Sequence, residues 1–88
     1  MTDPLIAELR ERITAADRAI LAAVNRRLEL VEQLKEHKES VGLAFIDGER
    51  ERRLIEELRA ENQGPLSDEG AEQLFQEILA LVKRELAR

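Results

Sequence analysis

A chain of 88 residues has room for one domain with a modest core, and 38% charged side chains against 2% aromatics favour helices packed on helices over a sheet. The net charge of −5 argues against nucleic acid as a partner. With no Cys and a single histidine, His37, disulfides and His/Cys metal sites are excluded. No apolar run approaches the ~20 residues of a membrane span, and no secretion signal opens the chain. A soluble cytoplasmic protein that does not enter a membrane is therefore expected.

Asp3-Pro4 reads as a helix start, with an acceptor side chain at the N-cap and a proline at the first helical position, where its missing N–H costs nothing. Neither Gly nor Pro follows until Gly42, so the first helix is expected over about 4–40. At ~1.5 Å per residue such a helix is roughly 55 Å long, whereas a compact chain of this size has a radius of gyration of only ~12 Å. Its apolar stripe, Leu9, Ile13, Ala16, Ile20, Val24, Val31 and Leu34, is then best buried against a second copy, and an intertwined homodimer is expected. Ser40 to Ile46, with Gly42, reads as a loop. Asp47 caps a second helix over 48–62 with Leu54, Ile55 and Leu58 on its apolar face, ended by Gly64-Pro65. Ser67 caps a third helix over 68–86, whose buried face runs through Ala71, Leu74, Phe75, Ile78, Leu81, Val82 and Leu86. The whole is read as a single all-α domain over 1–88.

Polar residues interrupt these stripes. Continuing the first helix's rhythm from Val24 reaches Arg27 and Lys38. They point within about 20° of one direction, ~16 Å apart along the axis, and both side chains can lean toward a point between them. On the second helix, stepping back from Leu58 and Leu54 reaches Glu51, with Arg50 beside it and Asp47 at the cap. Such a set suggests a polar pocket inside a helical bundle, fit for a small molecule with negative groups at its ends. An alternative stays open on the pattern alone: Arg and Lys stems also cover apolar surface with their heads in water, and Glu51 can pair locally as a structural bridge. His37 lies off the stripe and reads as a solvated helix residue. Arg52 and Arg53 are expected to pair with Glu49, Glu56 and Glu57 on the solvent face.

Taken jointly, Arg10 in LRERI, Asp17, Arg27 in NRRLELV, Lys38, the string Asp47, Arg50 and Glu51 in FIDGERERRLI, and the pair Leu74-Phe75 resemble the all-helical chorismate mutases over nearly the whole chain. The resemblance implies an intertwined dimer of three-helix chains whose long helices cross between subunits. It implies the Claisen rearrangement of chorismate to prephenate, on the route to phenylalanine and tyrosine, without cofactor or metal. By the same analogy Lys38 is the cation beside the ether oxygen. Arg27 grips the carboxylates together with Arg10 supplied across the dimer interface. Glu51 accepts from the ring hydroxyl, assisted by the backbone at Asp47, and Arg50 supports the carboxylate end.

The family's last helix usually offers a Ser and, four residues later, a Gln or Glu. Counting from Phe75, those positions hold Val82 and Leu86. Either Glu85, protonated, replaces the missing donor, or activity is weak and leans on an activating partner enzyme of aromatic biosynthesis, or the domain binds chorismate-like ligands without turning them over. An isochorismate pyruvate lyase, which shares the fold, is a further alternative.

Overall fold

The computed structural model describes residues 3–87. Three α-helices follow one another, α1 (Pro4–Ser40), α2 (Gly48–Glu61) and α3 (Asp68–Leu86), with no strand among the described residues. The very long first helix is as the spacing of Gly and Pro predicts. The second helix stops at Glu61, one residue before the expected 62, because Asn62 turns to extended backbone as its C-cap. By its packing the chain divides into two units, Met1–Leu30 and Val31–Arg88.

The first unit holds most of α1. Oδ1 of Asp3 accepts from the backbone N–H groups of Leu5 at 2.8 Å and Ile6 at 3.3 Å, satisfying two of the donors that a helix start leaves unpaired. The Thr14 hydroxyl donates back to the Arg10 carbonyl at 3.0 Å. No residue anywhere in α1 is buried, and Leu5, Ile6, Leu9, Ile13, Ile20 and Leu21 are all exposed. The ion pair of Arg26 with Glu29, at 3.5 Å, is solvated on both sides and contributes little.

In the second unit α1 ends in a Schellman motif. Gly42 takes the left-handed conformation at φ +75, which only glycine adopts without penalty. The N–H of Leu43 then donates to the Lys38 carbonyl at 2.8 Å and that of Gly42 to the Glu39 carbonyl at 3.3 Å. At the start of α2, the Asp47 side chain accepts from the Arg50 N–H at 3.1 Å. Arg52 pairs with Glu49 at 2.6 Å and with Glu56 one turn on. The hydrogen bond from Glu49, and then the charge of Glu56, raise the pKa of that exposed guanidinium. At the start of α3, Ser67 Oγ accepts from the Gly70 N–H at 3.0 Å, with Asp68 and Glu69 favourably placed in the positive first turn.

Helices α2 and α3 pack on each other. Leu54, Ile55 and Leu58 of α2 are half-buried, and the most enclosed side chains are on α3: Ala71, Val82 and Leu86. Full burial of a Val or Leu side chain contributes about 1.5–3 kcal/mol. Arg59 of α2 clasps the other end of the pair, 2.8 Å from Glu72 and 3.6 Å from Glu69. Between the helices, Asn62 Nδ2 donates to the Leu66 carbonyl at 2.8 Å and to Asp68 Oδ1 at 3.0 Å, tying the connection to the start of α3.

Candidate active site

Most of the residues singled out from the sequence lie in the Val31–Arg88 unit, where the end of α1, the start of α2 and the end of α3 supply them. Lys38 is half-buried in the last turns of α1, and its ammonium donates to the Phe45 carbonyl at 3.2 Å, in the loop before α2. That acceptor is a neutral dipole rather than a counter-ion. Asp47 is exposed; its carboxylate caps α2, and its carbonyl accepts from the Glu51 N–H at 3.1 Å. Arg50 is exposed in the first turn.

Glu51, one residue further, is the acid on the inward side of α2. Its side chain is 25% exposed, and its two oxygens stand 2.7 and 2.9 Å from the ammonium of Lys83 on α3. Lys83 was not among the sequence-derived candidates. Neither was Lys35, whose ammonium donates to the Leu86 carbonyl at 2.6 Å, at the negative end of α3, and sits 5.6 Å from the centre of the Phe45 ring. Phe45 thus serves both lysines, one with its carbonyl and the other with its ring. Helical spacing alone gives no signal for Lys35 or Lys83, since both fall beside the apolar stripe rather than on it.

On α3 the positions expected to carry polar donors are turned into the packing. Val82 and Leu86 are each only 3% exposed, while Glu85 between them faces solvent. The polar group that this end of α3 offers to α2 is Lys83. Among the described residues no three His, Cys, Asp or Glu converge as metal ligands would.

Arg10 and Arg27 lie in the other unit, both on α1. Arg10 is exposed, as is Asp17, and Arg27 is half-buried. Within the Val31–Arg88 unit the structure therefore brings Glu51 to α3 and Lys38 to the loop.

The family model described as chorismate mutase type II matches residues 9–85, a span that takes in Arg10, Arg27, Lys38, Asp47, Arg50 and Glu51. The chain belongs to the chorismate mutase type II family. Among solved structures it is similar to the chorismate mutase (Form I) from Thermus thermophilus, at 34% identity over 88% of this chain and 96% of that one, with a TM-score of 0.85. The Form II structure of a chorismate mutase from the same organism gives 33% identity over 92% and 91% of the two chains, with a TM-score of 0.87. No curated protein matches at a significant level. In this chain the end of α3 buries apolar residues at 82 and 86 and sets a lysine against Glu51.

Proposed function

We propose that this chain rearranges chorismate to prephenate as a homodimer, each chain a single domain over 1–88, with Arg10 of one subunit completing the site of the other. The observation that carries the reading is the family match over residues 9–85, joined to likeness at 34% identity with a solved chorismate mutase over nearly all of that chain. Dimerisation is supported by α1, which buries none of its residues and leaves Leu9, Ile13 and Ile20 of its stripe exposed. Exposed apolar faces of this extent mark interaction surfaces.

The chemistry is unimolecular and asks for neither nucleophile nor cofactor. Chorismate is a flexible dicarboxylate that must be held in its compact, chair-like form before the new carbon–carbon bond can close. Arg27 and the partner subunit's Arg10 grip the carboxylates by charge-assisted, two-pronged hydrogen bonds, with Arg50 in support. Glu51 accepts from the ring hydroxyl beside the Asp47 backbone. Carbon–oxygen cleavage runs ahead of carbon–carbon formation, so negative charge grows on the ether oxygen. Lys38 binds that charge more tightly in the transition state than in the substrate, which is the condition for raising kcat. A rate acceleration at the low end for enzymes, ~10⁶, needs about 8 kcal/mol, and one preorganised donor is worth about 3–4 kcal/mol. Several cations acting together meet that demand.

One observation favours a second reading. Val82 and Leu86 are buried and Glu85 is exposed, so α3 offers no neutral donor from these positions. On this reading the mutase is slow alone and is activated by a partner enzyme of aromatic biosynthesis. No helix among the described residues is long and apolar enough to cross a membrane, and we assign the chain to the cytoplasm, where a chorismate pool would be met.

The test is the loss of chorismate's ultraviolet absorbance with purified protein, with prephenate identified as product. Saturable turnover is expected, falling by about 10²–10³-fold in Lys38→Ala. Salicylate and pyruvate formed from isochorismate, with chorismate untouched, would replace the mutase by a lyase.

A further inference from the structure

We propose that Lys83 is a positioning residue for this reaction: it holds the Glu51 carboxylate in the orientation that receives the substrate's ring hydroxyl. The inference rests on the mutase reading above and adds a residue that the sequence pattern did not supply.

The contact shares with Arg59–Glu72 its place between α2 and α3, and differs from the ion pairs within α2. Arg52 with Glu49 and Glu56 is local to one helix and solvated on both sides. The Lys83–Glu51 pair joins two helices across 32 residues of chain, is part-buried, and engages both carboxylate oxygens within 2.9 Å. Glutamate has three side-chain torsions to fix, and an unheld acid would lose up to ~2 kcal/mol of rotamer freedom on meeting a ligand. A partner that already fixes it removes much of that cost. Lys83 is itself placed by rigid packing: Val82 before it and Leu86 after it are buried, which sets the rotation of α3 and leaves the lysine facing α2.

The carboxylate also keeps acceptor capacity for substrate. An ionised carboxylate has about four lone-pair positions, so the ring hydroxyl can donate to one oxygen while Lys83 keeps the other. Charge balance points the same way. Glu51 is an anion placed where a dicarboxylate must bind, and its repulsion of that ligand is offset by the adjoining ammonium.

The experiment compares steady-state chorismate kinetics and thermal melts of the full chain, Lys83→Met, Lys83→Arg, Glu51→Gln and the double variant Glu51→Gln/Lys83→Met. Misplacing a substrate-contacting group is expected to lower kcat/KM about tenfold in Lys83→Met, with most of the loss recovered in Lys83→Arg. The melting temperature should move by no more than about 5 °C, because a partly solvated pair contributes little to stability. In the Glu51→Gln background the lysine substitution should cost less than about twofold, since the acid through which it acts is already neutralised. Equal losses in both backgrounds would mean that Lys83 acts on substrate directly, and would overturn the positioning role. So would a loss that follows a collapse in melting temperature and is shared by Lys83→Arg. An active parent chain with indifferent Lys83→Met sinks this inference alone, whereas a parent chain that leaves chorismate untouched sinks it together with the mutase reading.

Discussion

Leu86 shows how one residue can answer to two demands. Family resemblance puts a polar donor at this position, and helical spacing puts it on the buried face of α3. The structure gives it the second role, at 3% exposure, with its carbonyl taken by Lys35. Installing an amide there therefore removes apolar burial and strands a polar group away from water. Leu86→Gln is expected to lower the unfolding free energy by about 2–4 kcal/mol and to bring no gain in kcat. Thermal denaturation followed by circular dichroism, read beside chorismate turnover, checks both halves. A gain in activity without loss of stability would mean that the side chain faces the ligand.

Helix boundaries in this chain are set by short polar signals, and they can be removed one at a time. Ser67 holds the start of α3 through the hydrogen bond from Gly70 N–H, and Ser67→Ala should cost about 1 kcal/mol in chemical denaturation. Because α3 carries the three buried residues, that loss should appear as a shift of the whole transition rather than as local fraying. The signals that define the elements were legible in the sequence for the same local reason: Asp3-Pro4, Asp47 and Ser67 act on N–H groups two or three residues away, and Gly42 ends α1 by its own left-handed backbone. Apolar periodicity likewise put Ala71, Val82 and Leu86 on one face. Lys35 and Lys83 were not legible, because their partners lie 51 and 32 residues away, on another helix. Only the rotation of α3 decides that Lys83 meets Glu51, and periodicity fixes that rotation to no better than a face about 100° wide.

At the scale of the whole molecule, the stripe on α1 should decide the oligomeric state. Ile20 is 61% exposed in the single chain and sits midway along that stripe. On the proposed dimeric reading, Ile20→Asp is expected to shift the protein from dimer to monomer in sedimentation analysis, and to abolish turnover as well, because that reading takes Arg10 from the partner subunit. A dimer that survives this substitution would have to use another face. The scarcity of buried side chains carries a calorimetric consequence. An ordinary globule of this length gains about 1.1–1.3 kcal/mol/K in heat capacity on unfolding, chiefly from apolar surface newly wetted. With Ala71, Val82 and Leu86 alone fully buried among the described residues, one chain by itself has less such surface to release than an ordinary globule. The part of a normal value that one chain cannot supply would then measure area hidden between chains, and its loss on dilution would trace an assembly coming apart.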